Sequence, residues 1–368
     1  MMGLRSAFAG GHSRPEVLVT VSSRYTAKGY RFDLESFFPR ALFEAITDVR
    51  LRRPEVMAEE AAKRKRRDVL APDGKLTILA ADHPAHRTTR VGSDPVAMGD
   101  RYQYLGRILR VIASDEFDGV MGPTDIIEEL FILCHLIREA GGPSFLDGKV
   151  MAGSMNRGGL EGTVFSMDDR FTSFTPDSIA ALRLDAAKIM YRVADDDPGS
   201  LDTIVSCADA ISRLNALGIP TFLEPLAVQQ IEGKWETLKE PTALVKAVGV
   251  ASALGDSSLR LWLKIPYCHD FDRVARATTL PILMLGGEAA GDPTGTLEDF
   301  VVGMRAGSNV CGALVGRNVL FPGNDDPLAT AMAVQGIVHE GFDADQAVAH
   351  LMENRGRDMD RLSRWVPS

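Results

Sequence analysis

The sequence predicts an α/β fold: a (β/α)8 TIM barrel with an N-terminal helical extension and a C-terminal helix. Three observations lead there. Eight short apolar runs recur between Leu76 and Val315, of the kind shown by strands buried on both faces. Amphipathic helical stretches separate them. The 368 residues suffice for one large alternating barrel with flanking segments. No Gly-x-Gly-x-x-Gly follows the first run, which weighs against an open dinucleotide-binding sheet.

Residues 1–74 read as the helical extension, 75–340 as the barrel and 341–368 as a helix packing on it. Leu34, Phe37, Phe38, Leu42 and Ile46 give residues 34–49 helical spacing. Residues 52–70 read as a charged helix, with Glu59–Lys63 and Glu60–Arg64 at the favourable i,i+4 spacing. The basic run Lys63 to Arg67 reads as a solvated helix face, because acidic residues precede it and the chain is acidic overall. The eight strand runs span residues 76–81, 119–122, 149–153, 188–193, 220–224, 259–265, 281–285 and 310–315. The clearest helices are residues 125–140, 201–217, 242–254, 296–306 and 327–339, with Gly218 and Gly255 as stop signals. Residues 156–175 are a long insertion after the third run, of the sort that shapes a site or an oligomer contact. Residues 344–365 read as the closing helix.

The formal net charge of −9 argues against a nucleic-acid or anionic-membrane partner, since no basic face compensates it. Four scattered cysteines, Cys134, Cys207, Cys268 and Cys311, have no metal-like spacing and read as reduced thiols. No apolar run is long enough to span a bilayer. The first twelve residues lack a signal-peptide core, because Gly10, Gly11 and His12 interrupt it. A cytoplasmic protein is expected, and a homo-oligomer using the N-terminal helices and the long third loop.

Arg260 to Tyr267 is the most informative stretch: an apolar strand carrying Lys264 in its middle. Such a lysine either reaches water or sits where burial depresses its pKa and makes it a Schiff-base nucleophile. Lys188, Glu224 and Lys264 lie 36 and 40 residues apart, about one strand–helix unit each. They should stand side by side on the fourth, fifth and sixth strands, roughly 4.8 Å between neighbours. Lys188 would further disfavour protonation of Lys264, and Glu224 could shuttle protons. A buried ion network that only holds the barrel together is the competing reading.

The seventh run ends in Gly286-Gly287 and the eighth in Gly316-Arg317. Loops there commonly hold phosphate through backbone amides, and Arg317 adds a forked cation. At the end of the first run, Asp82 and His83 are placed to bind substrate hydroxyls. A metal site from Asp82, His83 and His86 is the rival. Arg157, Arg192 and Arg87 are candidates for a substrate carboxylate, and spacing does not select among them. The expected partner is a phosphorylated keto sugar or keto acid, with no cofactor and no metal.

Together these motifs resemble the class I, Schiff-base aldolases of the superfamily holding the DhnA-type fructose-bisphosphate, tagatose-bisphosphate and deoxyribose-phosphate aldolases. The resemblance covers roughly residues 75–340. It implies Lys264 as the Schiff-base lysine. Tagatose-bisphosphate-type members carry a strand-four lysine and strand-five glutamate matching Lys188 and Glu224. The strand-one Asp-His pair matches Asp82-His83, and the phosphate loops match Gly286-Gly287 and Gly316-Arg317. Residues 81–87 and 168–171 and the extension look more closely like an actinobacterial-type subgroup associated with myo-inositol breakdown. That implies cleavage of 6-phospho-5-dehydro-2-deoxy-D-gluconate to dihydroxyacetone phosphate and malonate semialdehyde. Glu224-Pro225 departs from the tyrosine before proline of DhnA-type enzymes, which weighs against their substrate. Other ketose phosphates (tagatose or fructose bisphosphate, sulfofructose phosphate), deoxyribose phosphate, a metal-dependent barrel hydrolase and a non-catalytic sugar-phosphate sensor are the alternatives.

Overall fold

Eight parallel strands close into a ring in the computed structural model, which describes residues 25–287 and 291–365. They are β1 (Leu76–Ala80), β2 (Gly119–Gly122), β3 (Val150–Ser154), β4 (Ala186–Val193), β5 (Thr221–Ile231), β7 (Leu261–Pro266), β8 (Ile282–Leu285) and β9 (Val310–Val315). Each hydrogen-bonds its neighbours in that order, β9 pairs back to β1, and the β4–β5 pairing completes the closure. This is the expected (β/α)8 barrel. The reading of the first twelve residues lies outside the described residues.

A ninth strand was not foreseen. β5 runs on past the barrel to Ile231 and turns at Glu232 and Gly233 into β6 (Lys234–Thr237), an antiparallel hairpin. Both turn residues have positive φ, +50° and +79°, the requirement of a two-residue turn matched to strand twist. The Glu-Gly pair between Ile231 and the Lys234-Trp235 stretch was the signal for it.

The barrel's outer layer is α4 (Arg101–Ile112), α5 (Thr124–Glu139), α6 (Pro176–Ala181), α7 (Gly199–Ala216), α8 (Pro241–Ser252), α9 (Phe271–Ala275), α10 (Thr294–Met304), α11 (Arg317–Leu320) and α12 (Pro327–Gln335). The main apolar core lies between these helices and the strands. After α12 comes a π-helical turn through Glu340, then α13 (Ala344–Glu353), started by a capping box of Asp343 and Gln346. The closing helix is thus shorter than foreseen, because Gly356 and Asp358 adopt left-handed conformations. Among the described residues, no helix is long and apolar enough to cross a membrane.

Ahead of the barrel, the foreseen helix over residues 34–49 is split into α1 (Leu34–Phe37) and α2 (Arg40–Arg52) at Pro39, which has no N–H to continue the ladder. The long charged helix contracts to α3 (Val56–Lys63). The basic run Lys63 to Arg67 is solvated only in part, at Lys63, Lys65 and Arg66, whereas Arg64 and Arg67 turn inward, contrary to expectation. Arg64 is buried and pairs with Asp185 at 2.9 Å, Arg66 pairs with the same carboxylate at 2.7 Å, and Arg67 reaches Asp118 at 2.8 Å. Asp185 and Asp118 sit at the N-terminal ends of β4 and β2. The run therefore clamps the bottom of the barrel. Its partners lie 51 to 121 residues away in sequence, beyond any i,i+4 argument.

Side-chain alternation along the strands explains what fills the interior. Leu76, Ile78, Ala80, Met121, Val150, Ala152, Ala186, Phe222, Leu283 and Leu314 form a separate apolar plug, with Trp262 packed against it. The Phe222 and Trp262 rings meet edge-on, 6.3 Å between centroids. Two positions further along the same inward faces come Asp82, Lys188, Glu224 and Lys264. One period of the strand repeat carries the interior from a dry plug to a layer of four charges at the C-terminal mouth, where sites in this fold lie.

Candidate active site

Lys188 stands at the centre of that charged layer. Its Nζ lies 2.8 Å from Asp82 Oδ2 on one side and 3.0 Å from Glu224 on the other. Lys264 Nζ lies 2.9 Å from the same Glu224. The four side chains form a chain across the barrel, Asp82 to Lys188 to Glu224 to Lys264, and all are buried. Asp82 Oδ2 also accepts from Ser154 Oγ at 3.2 Å and contacts His86 Nε2 at 3.1 Å. The three foreseen neighbours on adjacent strands are thus brought together, and Asp82 joins them.

The protonation states follow from burial set against these partners. Burial pulls the Lys264 amine below the ordinary lysine value; Glu224 opposes that shift and the Lys188 cation adds to it. Lys188 moves the other way: burial disfavours its charge, but Asp82 and Glu224 together outweigh burial and hold it above the ordinary value. Burial raises Glu224, and the two lysines more than reverse this, holding it at about 2. Asp82 is held well below the carboxylate range, with Lys188 outweighing burial. His83 is pushed down to about 3, chiefly by burial, so it is neutral at ordinary pH. Two lysines in one layer therefore differ in kind. Lys188 is a fixed cation between two carboxylates, and Lys264, with one carboxylate and a cation beyond it, is the amine that can be neutral.

At the other side of the mouth, Gly287 has φ +73° and nothing within 4 Å of where a side chain would start, so its backbone faces open space. It borders a cavity of about 440 Å³ lined also by Gly286, Thr294, Gly295, Thr296 and Asn318. The α10 N-terminus, with first-turn amides free of intrahelical partners, opens onto it. Asn318 Nδ2 donates to Gly286 O and to Thr296 Oγ1, 2.6 Å each, and so ties the loop after β9 to the loop after β8. Burial pushes Asp299, on the cavity wall, up to about 6. Gly316 has a second role: a Cβ there would stand 2.2 Å from His83 Cε1, so the glycine is what lets His83 sit in place. Arg317 is near enough for its charge to act on His83.

The three arginines now separate. Arg87 is at the rim, donating to Glu161 O at 3.3 Å. Arg192, at the end of β4, gives its fork to Asp169, with Nη2 at 2.9 Å and Nε at 3.3 Å, and its backbone N–H donates to the same carboxylate at 2.7 Å. Arg157, just past β3, is buried against the insertion, its Nη1 donating to Gly159 O and facing Ser166 O at 3.3 Å and Asp169 at 3.5 Å. Asp82, His83 and His86 form no metal-ligand group; among the described residues no cluster of three such side chains could hold a metal ion. Sequence reasoning did not nominate Ser154, Asn318 or the residues 294–296. Ser154 lies one residue past the third foreseen run, and Asn318 follows the Gly-Arg pair directly.

Residues 74–337 match the Cgl0159-like family. The chain belongs to that family. The crystal structure of Cgl0159 from Corynebacterium glutamicum is 35% identical, with a TM-score of 0.76 over 83% of this chain and 99% of that one. Among solved structures of lower identity, fructose-bisphosphate aldolase from Slackia heliotrinireducens is 14% identical, with a TM-score of 0.56 over 89% of this chain and 97% of that one; that likeness concerns the fold. A curated relative, 2-amino-3,7-dideoxy-D-threo-hept-6-ulosonate synthase from Halobacterium salinarum, is 29% identical over 185 residues. The aligned stretch takes in 50% of this chain and spans 64% of the relative's length. This Cgl0159-like chain therefore carries its charged layer at the C-terminal mouth of a (β/α)8 barrel.

Proposed function

We propose that the chain is a class I aldolase that cleaves a phosphorylated keto sugar acid through a Schiff base on Lys264. The observation that carries this is the contrast between the two buried lysines: one amine held charged, the other pushed toward neutrality beside a carboxylate. The favoured substrate is 6-phospho-5-dehydro-2-deoxy-D-gluconate, giving dihydroxyacetone phosphate and malonate semialdehyde. Support for it comes from the Asp82-His83 and Asp168-Asp169-Arg170-Phe171 motifs and from Glu224 in place of a tyrosine. The relatives' names, an aldolase and a ulosonate synthase, suit carbon–carbon bond chemistry.

In this reading, neutral Lys264 attacks the C5 ketone, and the carbinolamine loses water to an iminium. Glu224, ionised at rest, takes the C3 hydroxyl proton as the C3–C4 bond breaks. The bonding pair flows into the iminium to give an enamine, and the C3 oxygen becomes the aldehyde of malonate semialdehyde. Protonation of the enamine and hydrolysis release dihydroxyacetone phosphate and restore the amine. Lys188 holds Asp82 and Glu224 in place and keeps positive charge beside the forming iminium. Asp82 and His83 bind hydroxyls, and Gly286, Gly287, Gly316 and Arg317 hold the phosphate.

Borohydride reduction in the presence of dihydroxyacetone phosphate tests the reading. The expected product is one covalent adduct, mapped by peptide mass spectrometry to Lys264 and absent from Lys264→Met. Turnover by Lys264→Met would refute it. A sugar-phosphate sensor would bind the ketose phosphate and give neither adduct nor cleavage.

A further inference from the structure

The loop after β3 and the end of β4 lie diametrically across the ring from the loops after β8 and β9. A substrate anchored by phosphate on the β8–β9 side and crossing Lys264 on β7 points its far end at Arg157 and Arg192. These two arginines share one carboxylate, Asp169, which is fully buried. Arg192 spends its fork and its backbone amide on it. Arg157 holds the insertion with Nη1 alone, donating to Gly159 O, to Ser166 O and, at 3.5 Å, to Asp169, while its Nε is buried with no partner. The Arg157 charge is felt at His86, and it lies within electrostatic reach of Asp82 and Glu224, so it borders the charged layer and not the outer surface. Arg157 itself is only 6% exposed. A buried guanidinium with an unused donor is costly unless a ligand satisfies it.

The charge balance names the ligand's class. At this end Arg157 and Arg192 share the single carboxylate of Asp169, which leaves one positive charge in excess. We infer that Arg157 is the specificity residue for a terminal carboxylate on the substrate, and that Arg192, acting through Asp169, is the positioning residue that aims it. A forked, singly charged site fits a carboxylate monoanion better than a phosphate dianion. This rests on the aldolase reading for where the phosphate end lies, and it narrows the substrate to phosphorylated keto acids, setting aside bisphosphates.

Binding at equilibrium tests it without turnover. The probes are 6-phosphogluconate, glucitol 6-phosphate and glucitol 1,6-bisphosphate, which share six carbons and the phosphate on C6, differ at C1 and carry no ketone. The full-length protein is expected to bind the acid roughly tenfold or more tightly than glucitol 6-phosphate, and more tightly than the bisphosphate. Arg157→Gln should remove the preference for the acid while leaving the affinity for glucitol 6-phosphate in place. If that variant does not fold, Arg157→Lys, which keeps the charge and loses the fork, should reduce the preference. Equal binding of the acid and glucitol 6-phosphate, binding of neither, tighter binding of the bisphosphate, or a preference that survives in the Arg157 variants overturns the proposal. Failure of Lys264 labelling by borohydride would remove the aldolase reading alone, because this binding difference does not depend on a Schiff base.

Discussion

A single carboxylate oxygen of Glu224 stands 3.0 Å from Nζ of Lys188 and 2.9 Å from Nζ of Lys264. The two ammonium groups compete for it, and the competition is uneven because Lys188 has Asp82 as well. The cation of Lys188 depresses Lys264 directly and also draws on the carboxylate that would otherwise raise it. Lys188→Met should therefore raise the pKa of Lys264. The acidic limb of the pH dependence of borohydride trapping by dihydroxyacetone phosphate should move to higher pH. An unchanged limb would mean that Lys264 is depressed by burial alone.

Glu224→Gln separates two roles of one residue. Removing its charge removes what raises the Lys264 amine, so trapping should extend to lower pH. The same change removes the proton acceptor of the proposed mechanism, with an expected loss of about 10²–10⁴-fold in kcat. Trapping retained with turnover lost is the expected pattern. Parallel loss of both would make Glu224 a structural partner only.

Much of this site was legible because strand alternation and the length of a strand–helix unit are local properties. Lys188, Glu224 and Lys264 could be placed side by side from their intervals, and Asp82 joins them at the end of the first strand. What was not legible is held by contacts distant in sequence. Arg64 and Arg66 looked like a solvated helix face, and only folding brings Asp185 to them. Arg157 and Arg192 could not be ranked until Asp169 of the insertion was seen to take the fork of one and not the other. The β6 strand is a local hairpin whose Glu232-Gly233 turn lies within one strand–helix unit, so the barrel's repeat carries no signal for it.

Gly316 shows how closely the loop after β9 and the first strand are packed. A methyl group there would stand 2.2 Å from His83 Cε1 and 3.0 Å from Ala80 O, and the backbone oxygen of β1 cannot move cheaply. Gly316→Ala should cost about 1–3 kcal/mol of stability by overpacking, read by denaturant titration, and weaken binding of dihydroxyacetone phosphate by displacing His83. Gly287→Ala offers the contrast. It meets no atom, but its φ of +73° strains any other residue, so its cost is conformational and of order 1 kcal/mol.

The clamp at the barrel's bottom should affect stability and spare catalysis. The Arg64 side chain is 1% exposed and that of Asp185 6%, at 2.9 Å, and Asp185 also accepts from the backbone N–H of Met151. Asp185→Asn leaves a buried guanidinium without its countercharge, a loss of about 3–5 kcal/mol. Arg66→Met removes only a half-exposed partner of the same carboxylate and should cost at most about 1 kcal/mol. Neither variant should change KM, since the site lies at the opposite end of the strands. A KM shift at unchanged fold would show that the two ends are coupled.

His339 gives the bottom of the barrel a pH dependence whose sign can be worked out. Its Nδ1 lies 2.7 Å from Asp73 and its Nε2 2.9 Å from Asp118, so both carboxylates are satisfied only by the imidazolium. Burial lowers its pKa, but hydrogen bonds to Asp118 and Asp73 outweigh burial and raise it above the ordinary value. A raised histidine stabilises the fold fully below about pH 6.5, and that contribution fades as pH rises through the folded value. Asp118 is depressed, with hydrogen bonds from His339, Thr77 and Arg67 outweighing burial. Its contribution is present above about pH 4 and is lost in acid. The network is strongest between those limits. The melting temperature should fall from about pH 6 to about pH 9 in the parent protein. In His339→Gln it should start lower and change less over that range. Equal slopes in the two proteins would remove His339 as the titrating group.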